Sequence, residues 1–132
     1  MSPRFTMHHL SIFVRDVHAS AKFYGEVLGL EEIPNRVAKS HIRWFIIDGF
    51  RTIHLIGGDP EAERPRPLST HIAFATPDFD EALDRLKQHG VNIIDPERRP
   101  QGVITRPDGV RQLYFQDPDG HWIEFNDANQ IP

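Results

Sequence analysis

Cysteine is absent from the chain. That one absence removes disulfides, thiolate metal ligands and a cysteine nucleophile together, and it suits a reducing compartment. An excess of positive charge is missing too, since 15 Lys and Arg stand against 19 Asp and Glu for a formal net charge of -4. Without a basic face to neutralise a polyphosphate, nucleic acid is not an expected partner. No apolar run approaches the roughly 20 residues that a bilayer-crossing helix needs, so no membrane span is expected. The opening MSPRFTMHH has no long apolar core of the signal-peptide kind, which places the expected location in the cytoplasm. Any metal would have to be held by His, Asp or Glu.

What the chain does contain is a repeat. His9 opens an alternating run, LSIFVR, that leads to Asp16, and His71 opens IAFATP, which leads to Asp78. Histidines at equivalent points of two repeats can be brought together by pseudo-twofold packing, so the repeat is a candidate metal site as well as a fold signal. At 132 residues the chain is expected to be one domain of two modules, each too small to be convincing alone. Their expected bounds are 1–57 and 68–132, joined by residues 58–67, whose proline-rich and charged composition suits an exposed linker.

Along module one, Met7 to Val14 alternates as a half-buried strand does, with His9, Ser11 and Phe13 on one face and His8, Leu10, Ile12 and Val14 on the other. Asp16 is the expected N-cap of a helix in which Ala19, Phe23, Val27 and Leu28 recur at helical spacing until Gly29. Strands are expected near Leu30–Ile33, His41–Ile47 and Thr52–Ile56, the last two joined by the turn-prone Asp48-Gly49. Module two follows the same order: a strand over Ser69–Ala75, a helix capped by Asp78 with Phe79, Leu83 and Leu86 on one side, and a short strand at Val91–Ile94. A polar loop over Pro96–Asp108 then leads to a hairpin of Arg111–Gln116 and His121–Asn126 around Asp117-Pro118-Asp119-Gly120. The fold class is therefore α+β.

Each module offers a histidine on its opening strand and one more potential ligand on its closing strand: His9 and His54, then His71 and Glu124. Neutral imidazoles with one carboxylate suit Zn, Ni, Co, Mn or Fe(II) at ligand distances of about 2.0 to 2.2 Å, and leave positions open for a substrate's oxygens. Alternation puts Ser11 and Phe13 on the face of His9, and Trp122 on that of Glu124, an aromatic wall suited to a small organic substrate. Tyr114 lies beside the carboxylate strand, where its hydroxyl could meet that substrate. His8 should point to the opposite face from His9. His18, His41, His89 and His121 read as surface or hydrogen-bonded residues, and Arg43, Arg51, Arg106 and Arg111 are individually ordinary, with one or two of them expected to meet an anionic substrate at the rim of the cup.

Over nearly its whole length the chain resembles the vicinal oxygen chelate superfamily, which includes glyoxalase I, fosfomycin-resistance thiol transferases, extradiol dioxygenases and bleomycin-resistance proteins. The resemblance is carried by His9-Leu10-Ser11-Ile12 through Asp16, by Phe23-Tyr24-Gly25-Glu26-Val27-Leu28-Gly29, by His71-Ile72-Ala73-Phe74, and by Asp117-Pro118-Asp119-Gly120-His121-Trp122-Ile123-Glu124. It implies paired βαβββ modules whose curled sheets cup a divalent metal held by His9, His71 and Glu124, with His54 at an optional fourth ligand position. It also implies a homodimer in which each site takes ligands from both chains. Phe13 and Gly58 stand where glyoxalase I is expected to carry an arginine and an asparagine, which counts against glutathione as cosubstrate. The expected activity is that of a glyoxalase-like isomerase or lyase on a small substrate chelated through two adjacent oxygens, with Glu124 as ligand and base and His54 as the alternative proton carrier. An Fe(II) extradiol-type dioxygenase and a metal-free small-molecule-binding protein are the competing readings.

Overall fold

The computed structural model describes residues 3–62, 64–95, 97, 102–129 and 131–132. Contacts divide the chain into two compact units, 1–63 and 64–132. Each carries a four-stranded open sheet, and the strand order is the same in both, β1-β4-β3-β2 and β5-β8-β7-β6.

In the first unit, β1 (His9–Val14) is followed by α1 (Val17–Lys22) and a π-helical turn (Phe23–Val27), then β2 (Glu31–Ile33), β3 (Ile42–Asp48) and β4 (Arg51–Gly57). The β1 strand runs parallel to β4, and β4 antiparallel to β3. Alternation on β1 is clean: Ile12 and Val14 are buried, while Ser11 and Phe13 are exposed, Phe13 at 45%. Asp16 caps α1 as its position requires, its carboxylate accepting from the backbone N–H groups of His18 at 2.9 Å and Ala19 at 3.3 Å.

The buried face of the helical segment is Val17, Ser20, Ala21 and Tyr24 rather than the expected Ala19, Phe23, Val27 and Leu28. Ser20 is fully buried and breaks the apolar pattern in the sequence, which hides the true stripe. Glycine at 25 has a steric reason, because a Cβ there would come within 3.2 Å of the ring of Phe45, itself buried. Residues 58–62 are not the exposed linker that their composition suggests. Gly58 and Asp59 donate their N–H groups to the carbonyls of Arg15 and Val14 at the end of edge strand β1, and Asp59 and Ala62 are buried. Unmet carbonyls at that strand end draw the segment into the first unit.

The second unit contains β5 (His71–Ala75), α2 (Phe79–Gln88), β6 (Ile104–Thr105), β7 (Arg111–Gln116) and β8 (Trp122–Asn126). Asp78 caps α2 by accepting from the N–H of Glu81 at 3.0 Å, and Phe79 and Leu86 point inward. The β7–β8 turn is held by Asp117, whose carboxylate accepts from the N–H groups of Asp119 and His121, both at 2.9 Å. The expected strand at Val91–Ile94 is reduced to one bridge, Ile94 to Tyr114, and the edge position passes to β6. Immediately after Ile94 the buried Asp95 accepts the N–H of Glu97 at 2.7 Å, a side-chain turn that takes the chain off the sheet. Residues 96 and 98–101 of the expected polar loop lie outside the described residues.

Candidate functional site

The repeat is visible in the ladders as two matching rows. In the first unit Ser11, His54, Trp44 and Ile33 pair successively across β1, β4, β3 and β2. In the second, Ala73, Glu124 and Tyr114 pair across β5, β8 and β7, and the Ile94 bridge completes the row. His54 and Glu124 are thus structural equivalents, as are Trp44 and Tyr114.

Around Glu124 the chemistry is specific. Its side chain is only 6% exposed, and its Oε2 accepts from Asn126 Nδ2 at 2.6 Å and Gln112 Nε2 at 3.3 Å. Its Oε1 lies 3.3 Å from His71 Nε2. His71 Nδ1 is 2.8 Å from the carbonyl oxygen of Leu68, which can only accept, so Nδ1 carries the hydrogen and Nε2 of the neutral ring presents a lone pair. Two acceptor atoms then face one another at hydrogen-bond range. Such a pair is satisfied by a cation: a proton on the imidazole, or a metal ion taking both.

Tyr114 stands edge-on to His71, with ring centroids 5.5 Å apart. Burial, followed by its hydrogen bond and proximity to the Glu124 carboxylate, pushes the Tyr114 phenol up to about 12. It therefore remains a hydrogen-bond donor at neutral pH. Trp122, paired in register with His71, donates its indole N–H to the carbonyl of Arg66 at 2.9 Å and is half-buried.

Module one is built from stacked rings. His54 lies between Trp44 and His9, with centroids 4.2 Å apart on both sides and interplanar angles of 7° and 10°. Thr52 Oγ1 is 2.9 Å from His54 Nε2. Burial first, and then the charges of His9 and His8, hold the His54 imidazolium down below its ordinary range. His8 does not point away from His9: their Nδ1 atoms are 2.9 Å apart. Strand alternation does not govern His8, because β1 begins only at His9.

The structure brings His71, Glu124 and Tyr114 together, and separately His9 and His54, with Ser11 beside His54 in register and Phe13 exposed on the same face. Among the described residues no group of three or more His, Asp or Glu side chains is gathered as a metal-holding cluster. The His71–Glu124 pair nevertheless fits a divalent cation in donor type and in support, since the non-ligating nitrogen and the distal oxygen are each anchored by hydrogen bonds.

Four contributors escape the sequence reading: Gln112, Asn126, Trp44 and Thr52. Period two would have found three of them, because Asn126 and Gln112 stand two residues from Glu124 and Tyr114, and Thr52 two from His54. The four arginines singled out from the sequence are each paired with carboxylates of their own module. Arg43 binds Glu32 at 2.7 Å, Arg51 binds Asp48 at 3.0 Å, Arg106 binds Asp108, and Arg111 binds Asp80 at 2.9 Å and Asp127 at 3.1 Å. His18 and His89 are hydrogen-bonded surface residues as expected, to Arg43 and to the Arg85 carbonyl.

Two four-stranded mixed sheets with short helices, repeated within one chain and carrying a histidine–carboxylate pair, define the class. The model of the Glyoxalase/Bleomycin resistance protein/Dioxygenase superfamily matches residues 6–125, and the chain belongs to that superfamily. Uncharacterized protein YwbC of Bacillus subtilis is 34% identical over 123 residues, covering 89% of this chain and 93% of its own. Metallothiol transferase FosB of Lysinibacillus sphaericus is 29% identical over 123 residues, covering 92% and 81%. Among solved structures, oxidase ChaP-H1 matches with a TM-score of 0.73 at 31% identity, over 92% of this chain and 94% of that one.

Proposed function

We propose that the protein is a divalent-metal-dependent enzyme, a glyoxalase-like isomerase or lyase acting on a small substrate that presents two adjacent oxygens. The observation that carries this reading is the His71 Nε2–Glu124 Oε1 pair at 3.3 Å, an imidazole nitrogen and a carboxylate oxygen whose other ends are anchored. Zn, Ni, Co, Mn and Fe(II) all suit these donors, and His9 and His54 are the ligands proposed from module one. When bound, the cation supplies a Lewis acid that stabilises negative charge developing on the substrate's oxygens.

The chain's own groups do the remaining work. Glu124 is the candidate base: its Oε1, once free of the cation it would hold, would accept the proton from the carbon beside those oxygens, while its Oε2 stays fixed by Asn126 and Gln112. Tyr114, protonated at neutral pH, donates a hydrogen bond to the carboxylate or to a substrate oxygen. His54, kept neutral by burial, is the alternative proton carrier. Ser11, Phe13 and Trp122 contribute to the substrate's surroundings, and the active form is proposed to be a cytoplasmic homodimer that shares its sites between subunits.

Deuterium exchange tests this reading. Metal-loaded protein in D2O is expected to exchange the carbon-bound hydrogen of at least one member of a panel of hydroxyketones and 2-oxoaldehyde hemithioacetals, and Glu124→Gln is expected to abolish that exchange while the circular dichroism spectrum is unchanged. Full exchange by Glu124→Gln would remove Glu124 from the mechanism. A second reading, an Fe(II) oxygenase of the extradiol type with Tyr114 orienting a catechol, is favoured by the likeness to oxidase ChaP-H1. Oxygen uptake with a catechol panel after ferrous loading separates the two. The third reading, a metal-free binding protein, is supported instead if no ion is taken up.

A further inference from the structure

Both opening-strand histidines have their δ nitrogen occupied. In module two the partner of His71 Nδ1 is the Leu68 carbonyl at 2.8 Å; in module one the partner of His9 Nδ1 is His8 Nδ1 at 2.9 Å. Two imidazole nitrogens at that distance share one hydrogen, so one donates and the other accepts. Were His9 the acceptor, its neutral ring would carry its hydrogen on Nε2, and that edge could not ligate. As the donor, it keeps a lone pair on Nε2, the state that Leu68 imposes on His71.

Other contacts leave the tautomer as the main freedom of this ring. One face of His9 lies on His54 at 4.2 Å and 10°, which sets its plane. His8 is itself held: its carbonyl accepts the N–H of Thr52 at 3.2 Å, its ring meets His9 edge-on at 86°, and Phe50 lies 5.9 Å from it.

We propose that His8 is a positioning residue whose Nδ1 accepts from His9 Nδ1 and holds His9 in the tautomer that offers Nε2 to a divalent cation. The inference rests on the metal reading above for its consequence, while the tautomer itself can be observed without metal. His8 does for His9 what a backbone carbonyl does for His71, and partners of this kind typically change metal affinity by about 10–100-fold when removed.

Long-range 1H–15N correlation spectra of the metal-free protein report which nitrogen of His9 is protonated, and calorimetric titration with Zn(II) reports affinity. Wild type is expected to show His9 protonated at Nδ1. His8→Phe should move that hydrogen toward Nε2 and weaken zinc binding about tenfold. His8→Asn, whose side-chain oxygen can accept in place of Nδ1, should restore both. An Nε2-protonated His9 in wild type, or a His9 unaffected by His8→Phe, overturns the proposal. So does a His8→Asn protein as impaired in zinc binding as His8→Phe, because His8 would then be acting as a ligand. If wild type takes up no zinc, the metal reading falls, and the nitrogen spectra still decide whether His8 sets the tautomer.

Discussion

His71 shows how far one hydrogen bond decides a residue's chemistry. Its Nδ1 hydrogen is committed to the Leu68 carbonyl, so the nitrogen facing Glu124 is the one left to hold a lone pair in the neutral ring or a second proton in the imidazolium. The nearness of His71 to Glu124 is legible in the sequence, because the repeat sets a histidine on each opening strand, His9 and His71, and a potential ligand on each closing strand, His54 and Glu124. The groups that support them are less so. Asn126 and Gln112 look like ordinary polar residues until the pairing of Tyr114 with Glu124 fixes which side chains share a face. His8 misleads because alternation is applied one residue before the strand begins. His54 carries a consequence for pH. Its proton affinity is lowered in the fold by burial and by the neighbouring histidines, so between its folded value and 6.5 the unfolded chain binds the extra proton. Stability should therefore fall as pH drops below 6.5 and level off once the folded ring also titrates. Urea midpoints of metal-free protein between about pH 7.5 and 5.5 should show this slope, and His54→Gln should flatten it; an equal slope in the variant would assign the effect elsewhere.

At the scale of elements, both caps are legible because an Asp followed by an apolar helical run has few other uses. Asp16→Ala and Asp78→Ala should each cost about 1 kcal/mol in chemical denaturation, as loss of an N-cap typically does. No change in either variant would mean that the hydrogen bonds to His18, Ala19 and Glu81 contribute nothing. The π-helical turn and the inward stripe at Val17, Ser20, Ala21 and Tyr24 are not legible, since a buried serine defeats apolar periodicity. Nor is the substitution of β6 for the expected strand at Val91–Ile94, because the side-chain turn at Asp95 depends on a tertiary burial that sequence does not reveal. The hairpins fare better: Asp48-Gly49 and Asp117-Pro118-Asp119-Gly120 carry their geometry in their own residues, with Gly49 and Gly120 at positive φ.

For the molecule as a whole, the repeated order of strands follows from two sequences that each lay out strand, helix and closing hairpin in the same order. Family membership follows from the match over residues 6–125, whereas substrate and reaction depend on details of the site that related folds vary freely. A ligand that binds only the folded state stabilises it, by about 2.7 kcal/mol at a hundredfold excess over its dissociation constant. Metal uptake and thermal stability are thus expected to rise together. The most direct measurement is elemental analysis of protein purified without chelator, followed by titration with Zn(II), Ni(II), Co(II), Mn(II) and Fe(II), for wild type and His71→Ala. Wild type should carry or acquire about one divalent ion per chain with a matching rise in melting temperature, and His71→Ala should lose both. Wild-type protein that carries no ion and gains none from any of the five metals would contradict the account.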